Sequence, residues 1–449
     1  MAIDNQYIRV MQVFSTPKLL AYRRVIIPGS FPFILSGLRL AYGVGWRVII
    51  GAEMISSITG LGFMMDNARW QMRPEVVVAG MITIGVIGLL VENILFDHLE
   101  KLTIRKWGGE SGPVKLVTFS HHDENRLGAV VQGRVICLRE AYSLYLKEIA
   151  KDPLPREMAR VRIPSDMVEF IRGGEKSFVA AGRALELMER RGLNTSGIGG
   201  RQIIYEMSQV SLKAPIMPQT IICGGANFTD HLEETKRIKP GHVEFFLKSP
   251  NSVVGPFKPI KYQPRVTQKL DYEVELAIII GKEGRYIPPE EAHDYIFGYT
   301  ILNDISARDR QVIGWEGNWF HLRFGEGKSF DTACPLGPWI VTKDELSDVS
   351  NLAMRTWVNQ ELRQSNNTKN LIWGVPALIS YYSTFLTLRP GIVISSGTPG
   401  GPALGADLEL GGKPYLREDI RRGGYLKPGD IVRCEIEGIG VLENPVVME

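Results

Sequence analysis

Two glutamates, Glu273 and Glu275, stand one residue apart inside an otherwise apolar run, LDYEVELAIIIGK, from Leu270 to Lys282. The run alternates and is rich in aliphatic and β-branched residues, so it predicts a β-strand, in which side chains two apart share a face. Two adjacent carboxylates repel each other and are costly to bury without a cation. The pair therefore indicates either the solvated face of an edge strand or a divalent-metal site, and a metal site needs a third ligand.

A third carboxylate follows a second apolar run. Asp304 ends an aliphatic and aromatic stretch that begins at Ile296, so it is predicted at a strand end, where it can face a cleft. No Cys or His lies close to the three carboxylates in the sequence. Oxygen ligands alone suit a hard ion, which favours Mg²⁺ or Mn²⁺ over Zn²⁺.

A histidine and a glutamate, His231 and Glu234, stand three residues apart in GANFTDHLEE, where a Gly-rich turn precedes a predicted helix. This spacing puts both side chains on one helical face. There the glutamate can hold the histidine in one tautomer and make it a general base for water. On spacing alone, an exposed pair on a short surface helix is the commoner arrangement.

Two more candidates lie beside glycine-rich segments. Lysines are usually solvated, but Lys328 follows RFGEG and precedes a stretch that reads as buried, a context in which it can point inward and stabilise an oxyanion. Thr398 lies in SSGTPGG, a turn whose backbone N–H groups can receive a carboxylate.

The composition excludes several classes of protein. The chain has 449 residues, which is enough for about two or three domains. The net charge is +3 without a dominant basic patch, so a nucleic-acid partner is not expected. The four cysteines lie far apart, and this spacing predicts neither a zinc site nor a disulfide framework.

The N-terminal hydropathy predicts a membrane hairpin. Residues 76–96 are nearly uncharged and reach the length of about 20 residues that a span requires. Residues 37–58 are also apolar but contain Arg39, Arg47 and Glu53. Basic flanks place both ends of the hairpin in the cytoplasm. The alternative is a soluble helical hairpin buried in a larger core.

The blocks YRRVIIPGSFPFILSGLRLAYGVGWRVIIGAEMI, GLGFMMDNA and LEKLTIRKWG make residues 1–107 resemble the last part of an ABC importer permease of the nitrate/sulfonate/taurine type. The resemblance implies that residues 5–36 derive from the loop that docks on the transporter ATPase, and it implies transporter subunits as partners. We expect the chain to lie in the inner membrane with its catalytic part in the cytoplasm, or to be cytoplasmic if the hairpin does not insert. A complete transport path is not expected.

The later blocks GANFTDHLEE, LDYEVELAIIIGK, GYTILNDISARDRQ, GKSFDTACPLGPWI, SSGTPGG and LKPGDIVRCEIEGIGVLENPV resemble the fumarylacetoacetate hydrolase family, in the family's order. The resemblance implies an α+β, mixed β-sandwich roll that holds Mg²⁺ or Mn²⁺ and forms a homodimer. It implies the metal ligands Glu273, Glu275 and Asp304, the water-activating pair His231 and Glu234, the oxyanion lysine Lys328, and the substrate contacts Arg308, Gln311 and Thr398.

The organisation that follows from these resemblances has four parts: a permease-like fragment at 1–107, a linker at 108–113, an N-terminal α/β region at 114–213 and a catalytic domain at 214–449. Two departures from the hydrolase family stand out. Phe228 occupies a position where the family usually has Tyr, so a hydroxyl near the site is expected to be missing. A long connection at 402–425, of the kind that often forms a lid or an interface, leaves the substrate open.

The function expected at this stage is cleavage of a C–C bond in a 1,3-dicarbonyl or 2-oxo acid, through an enolate that the metal stabilises. Decarboxylation, hydration or isomerisation of an oxo acid in aromatic catabolism is the alternative within the same chemistry. An alternative of a different class is a membrane transport component with a catalytically silent C-terminal half.

Overall fold

The chain divides into two compact units, Met1–Glu110 and Ser111–Glu449, and the division falls within the predicted linker. The computed structural model describes residues 38, 41–42, 45–46, 48–55, 58–91, 115–192, 195–316, 319–412 and 423–449. The linker at 108–113 and the predicted docking loop at 5–36 lie outside these described residues.

The first unit contains a pair of helices, α1 (Leu61–Trp70) and α2 (Pro74–Leu90). Pro74 is the first residue of α2, a position at which its missing N–H costs no helical hydrogen bond. Among the described residues, no helix is both long enough and apolar enough to cross a membrane. The spans predicted at 37–58 and 76–96 are therefore not found there, although parts of both predicted spans lie outside the described residues.

The second unit is built mainly of strands. Its strands are β1 (Lys115–His121), β2 (Glu124–Val131), β3 (Arg134–Cys137), β4 (Ile204–Glu206), β5 (Ser211–Leu212), β6 (Ile221–Gly225), β7 (Glu244–Lys248), β8 (Val253–Val254), β9 (Ile260–Tyr262), β10 (Leu270–Asp271), β11 (Val274–Ile280), β12 (Ile296–Asn303), β13 (Ser306–Ala307), β14 (Val312–Glu316), β15 (Trp319–Leu322), β16 (Cys334–Thr342), β17 (Ala353–Val358), β18 (Glu361–Asn367), β19 (Val393–Ser395), β20 (Ile431–Ile436) and β21 (Gly440–Met448). Its α-helices are α3 (Leu138–Tyr145), α4 (Pro155–Arg162), α5 (Met167–Arg172), α6 (Gly174–Arg191), α7 (Thr229–Glu234), α8 (Arg308–Gln311), α9 (Phe324–Lys328) and α10 (Val375–Phe385).

Two sheets dominate this unit. The larger sheet has the strand order β4-β3-β2-β1-β16-β12-β11-β19-β6-β7, with β5 on β1 and β8 on β16, and the smaller has the order β18-β17-β20-β21-β9. Most neighbouring strands are antiparallel, but three pairs are parallel: β19 with β6, β21 with β9, and β16 with β8. One apolar core packs the large sheet against the small sheet and α10, and a second packs its other face against α3 to α6. The expected mixed-β sandwich is thus confirmed.

Strand β11 is buried on both faces, which explains why its sequence is almost continuously apolar. Leu276 and Ile278 point into the core between the sheets, whereas Ala277 and Ile279 point into the core beneath the helices. Side chains two apart share a face, so Glu273 and Glu275 lie on the helix side of the sheet with Ala277. The sheet therefore brings both carboxylates to a buried surface, which excludes the solvated edge strand.

We expect the second unit to fold without the first, because the described residues from 115 onward contain complete cores on both faces of the sheet. A polypeptide of residues 111–449 should remain soluble without detergent and show one cooperative thermal transition by circular dichroism. Aggregation of this polypeptide, while the full-length chain in detergent unfolds cooperatively, would argue that the boundary is wrong.

Candidate active site

The three carboxylates predicted as metal ligands meet at one corner of the large sheet. Strands β11 and β12 are antiparallel with Val274 opposite Asn303, so Glu273 and Asp304 face each other just beyond the strand ends. There the Asp304 N–H donates to the Glu273 carbonyl at 2.8 Å. One ligand atom from each of Glu273, Glu275 and Asp304 lies within 4.8 Å of the other two, and all three residues are buried.

Three buried cations surround this acid triad. The Lys328 ammonium donates to Glu273 at 2.5 Å and to Asp304 at 2.7 Å, while Lys248 donates to the other Asp304 oxygen at 2.5 Å. Arg308 donates through Nη2 to Glu273. Burial alone would raise the pKa of Glu273, but the Arg308 and Lys328 cations hold this pKa well below its ordinary value. Glu273 is therefore ionised in the folded chain.

Glu275 has different surroundings. It accepts hydrogen bonds from the Ser395 hydroxyl and from the Gly397 N–H, the latter at 3.2 Å. Burial, followed by the negative charges of Asp304 and Glu273, raises the pKa of Glu275 well above its ordinary value. A divalent cation would relieve this repulsion, and a set of three carboxylate oxygens suits a hard ion. The residues therefore fit the metal that the sequence implies.

His231 and Glu234 form a buried pair on α7, not an exposed one. His231 Nδ1 lies 2.7 Å from Glu234 Oε1, and the Glu234 carboxylate also accepts the Gly401 N–H at 3.0 Å. Glu234 is fully buried, whereas His231 lines the cavity above the triad. Because Nδ1 is engaged by Glu234, Nε2 is the ring nitrogen that can exchange a proton with a molecule in that cavity.

Arg308 is oriented by a second carboxylate outside the triad. Its Nε donates to Asp271 at 2.8 Å, and its Nη1 donates to Gln311 at 2.7 Å. Asp271 in turn accepts the backbone N–H groups of Ala403 and Leu404 at 2.8 and 3.0 Å. The start of the long connection at 402–425 is thus joined through Asp271 to the guanidinium group in the site.

Thr398 lies in the turn that follows β19. Its hydroxyl accepts a hydrogen bond from Gln364 Nε2 at 2.9 Å. Gln364 also donates to the Pro399 carbonyl at 3.0 Å and accepts the N–H of Val274 at 3.0 Å. This glutamine therefore ties the Thr398 turn to the strand that carries the glutamates.

These side chains line one cavity. Eight of the nine predicted site residues line it, and the ninth, Glu234, lies behind His231. An aromatic pair forms part of the wall, since the rings of Phe246 and Phe324 stack with centroids 4.5 Å apart. The roles assigned to the nine residues remain predictions, but the fold brings these residues together.

Phe228 is a core residue. Its side chain is fully buried in the core between the two sheets and is not part of the cavity wall. The expected loss of a hydroxyl near the site stays a prediction. The connection at 402–425 is described only at 402–412 and 423–425, and Leu404 from this connection lines the cavity.

Sequence reasoning missed Lys248 and Asp271. A signal for each was present, because Lys248 alternates with Phe246 in a short apolar strand, and Asp271 continues the alternation of Glu273 and Glu275 backward by two residues. Counting Asp271 with the triad, four carboxylates face three cations in this cluster. With all four acids ionised, the carboxylates would outnumber the cations by one, and either a bound cation or a proton on Glu275 would offset that charge.

Replacing Glu273 and Glu275 by glutamine should have different effects on the melting temperature of the metal-free protein. Glu273→Gln removes the partner of two buried cations, and breaking such a pair costs about 3–5 kcal/mol, so it should lower the melting temperature of chelator-treated protein. Glu275→Gln removes a carboxylate that its neighbours disfavour, so it should keep or raise that temperature.

Added Mg²⁺ or Mn²⁺ should stabilise the wild type, by about 2.7 kcal/mol at 100 times the dissociation constant, and should stabilise neither variant to that extent. Differential scanning calorimetry with and without chelator measures both effects. A large loss of stability in metal-free Glu275→Gln would contradict the assignment.

Two family matches cover different parts of the chain. Residues 220–447 match the fumarylacetoacetate (FAA) hydrolase C-terminal family, and residues 1–107 match the family of binding-protein-dependent transport system inner membrane components.

Individual relatives agree with the first match. The chain is 41% identical over 286 residues to a mitochondrial oxaloacetate tautomerase of Xenopus laevis. The aligned region covers 64% of this chain and 79% of the relative. A solved fumarylacetoacetate hydrolase from Exiguobacterium antarcticum shares 32% identity with a TM-score of 0.52, covering 75% of this chain and 100% of that one. A maleylpyruvate hydrolase from Sphingobium sp., solved with manganese(II) and pyruvate, shares 27% identity with a TM-score of 0.52, covering 74% of this chain and 99% of that one.

The family match extends over the strands and turns that carry the acid triad, the His231–Glu234 pair and Lys328. The chain therefore belongs to the fumarylacetoacetate hydrolase family, and it carries a permease-like segment at residues 1–107.

Proposed function

We propose that this chain is a metal-dependent enzyme that moves a proton at the carbon beside the carbonyl of a small 2-oxo acid, with keto–enol interconversion of oxaloacetate as its reaction. The observation that carries the proposal is the cavity in which the buried acid triad and Lys328 lie together with the buried His231–Glu234 pair. The oxaloacetate tautomerase relative at 41% identity supports the choice of substrate.

Glu273, Glu275 and Asp304 would hold the metal, for which Mg²⁺ or Mn²⁺ is the proposed ion because all three donors are carboxylate oxygens. A divalent ion held there would supply Lewis-acid polarisation of the substrate carbonyl. Burial lowers the pKa of Lys328, but the charges of Asp304 and Glu273 outweigh burial and raise this pKa overall. Lys328 is therefore a fixed cation that stabilises negative charge as it develops on the carbonyl oxygen.

The proton is carried by His231. In the proposed reaction Nε2 takes a proton from the carbon beside the carbonyl, and a proton is returned to the oxygen of the resulting enolate. Glu234 accepts from Nδ1 and stabilises the positive charge on the ring while His231 holds the proton. The hydroxyl of Thr398 and the side chains of Arg308 and Gln311 line the same cavity and bind the substrate's carboxylate.

Hydrolytic C–C cleavage, the reaction expected from the sequence, is the second candidate. It is favoured by the buried His231–Glu234 pair, because such a pair can activate water. Water would lose a proton to His231, and its oxygen would add to the distal carbonyl of an acylpyruvate. The bond between that carbonyl carbon and the next carbon then breaks, and this next carbon receives a proton.

The experiment is turnover by the full-length chain with added Mg²⁺ or Mn²⁺ and after chelation. Tautomerisation is followed by the decay of the enol absorbance of oxaloacetate, hydrolysis by pyruvate release from acetylpyruvate, and decarboxylation by pyruvate release from oxaloacetate. Full activity after chelation would exclude the metal assignment. Absence of turnover on all substrates would favour a catalytically silent transport component.

We expect His231→Gln to lower the rate of the active reaction by about 10²- to 10⁴-fold, the usual contribution of a general base, while metal affinity stays nearly unchanged. His293→Gln is the control, because His293 is exposed and lies outside the cavity wall. Loss of metal binding in His231→Gln equal to its loss of rate would make His231 structural.

We also propose that residues 1–107 attach the chain to the inner membrane or to transporter subunits, with the catalytic unit on the cytoplasmic side as a homodimer. The match of this segment to inner membrane transport components supports the attachment. Full-length protein is expected to sediment with membranes and to be released by detergent, whereas residues 111–449 should stay in the supernatant. Full-length protein that remains in the detergent-free supernatant after ultracentrifugation would refute the attachment.

A further inference from the structure

One face of β7 carries residues that contact the acid triad, line the cavity and bond Arg237. Glu244, Phe246 and Lys248 alternate along this strand, so their side chains share a face. Lys248 bonds Asp304 of the triad, and Phe246 forms part of the cavity wall. Glu244 lies four residues from Lys248, which is about 13 Å along a strand. At the level of the backbone, Glu244 is thus a second polar position on this face, apart from the triad.

Arg237 occupies that second position. Its Nη2 donates to Glu244 at 2.6 Å, and the arginine side chain lines the same cavity as the triad while being 21% exposed. A guanidinium group has five N–H donors, so this ion pair leaves donors for another anion. Arg237 is therefore a cation that a molecule in the cavity can reach.

The end of α7 explains why Arg237 turns toward the cavity. The N–H of Arg237 donates to the Leu232 carbonyl at 2.9 Å, and the N–H of Lys236 donates to the Glu233 carbonyl at 3.3 Å. Lys236 is left-handed, with φ of 56°. This pair of bonds around a left-handed residue is a Schellman ending. The chain thus changes direction just after the helix that carries His231, and Arg237 lies directly after this turn.

The other cations that line the cavity already bond the acid triad or residues next to it. Among the described residues that line the cavity, Arg308 bonds Asp271, Glu273 and Gln311, and Lys328 bonds Glu273 and Asp304. Arg237 bonds Glu244, which lies on the other side of Phe246 from Lys248 along the strand. Positive charge is thus found both at the triad and on Arg237, which bonds none of the three carboxylates, and the aromatic pair Phe246 and Phe324 forms part of the wall of the same cavity.

We propose that Arg237 binds the distal carboxylate of a dicarboxylic 2-oxo acid and so selects diacids over monoacids. This assignment rests on the proposed function, because it assumes that the oxo-acid end of the substrate lies at the triad. The aromatic wall contacts the carbon chain between the two acid groups. A substrate with an uncharged distal end leaves Arg237 paired with Glu244 and gains nothing from it.

The test uses the full-length chain with Mg²⁺ and two diacids, oxaloacetate and 2-oxoglutarate, each compared with its distal monomethyl ester. Solvent deuterium exchange beside the 2-oxo group measures the same reaction on every substrate. In the wild type, kcat/KM should be higher for at least one diacid than for its ester. Arg237→Gln should lower kcat/KM for that diacid by about 10- to 100-fold, the loss of charge-assisted hydrogen bonds, mainly through KM. The ester should be unaffected, and Arg237→Lys should recover part of the loss.

Arg126→Gln is the matched control, because Arg126 forms an ion pair of the same length, 2.6 Å, at a similar exposure of 23% on the distant strand β2. This variant should leave kcat/KM unchanged for both the diacid and its ester. Equal losses on diacid and ester in Arg237→Gln would show that Arg237 only holds α7, and would overturn the proposal.

Calorimetric binding separates this proposal from the proposed function. If the wild type turns over no substrate, tighter binding of a diacid than of its ester, lost in Arg237→Gln, would still support the role of Arg237. Equal binding of diacid and ester by the wild type would refute that role whether or not turnover occurs.

Discussion

Buried carboxylates are tolerated only when their charge is balanced, and this requirement organises the whole corner of the sheet around Glu273, Glu275 and Asp304. An unpaired buried charge costs several kcal/mol, so each acid must find a cation or strong donors. Asp304 is shared between two lysines, and Glu273 between a lysine and an arginine. These fixed pairings hold the oxygens in place before any ligand arrives, and such preorganisation is what an electrostatic site needs.

The fold supplies the burial that makes this balance necessary. Because β11 lies inside a sheet that is covered on both faces, a polar residue on this strand cannot escape to solvent by a small shift. Its antiparallel partner β12 ends directly opposite, which puts Asp304 beside Glu273. Short helices and glycine-rich turns at the same end of the sheet then deliver His231, Lys328 and Thr398 to one cavity.

The sequence predicted most of this site because its strongest signals are local. Two acids on one face of an apolar strand repel each other and are costly to bury, and few arrangements other than a cation site remove that cost. Lys248 was not predicted, since its strand β7 reaches the triad only through the long-range order of β6, β19 and β11. Asp271 was missed because the function of its carboxylate depends on Arg308 and on a turn at residues 403–404. Hydropathy predicted membrane spans at 37–58 and 76–96, but a window of apolar residues does not determine helix length, and the helix found over the second span is Pro74–Leu90.

The long connection between the Thr398 turn and β20 is closed at its base. Ala403 and Leu404 bond Asp271 as the connection leaves, and the Leu426 N–H bonds the Leu270 carbonyl at 2.7 Å as it returns. Both ends are thus fastened to the same two-residue strand, β10. Each doubling of the length of a closed loop costs only about 0.6 kcal/mol in loop-closure entropy. Lengthening the connection between these two fastened ends would therefore cost little loop entropy, and a protein engineer could use that position to insert a reporter domain.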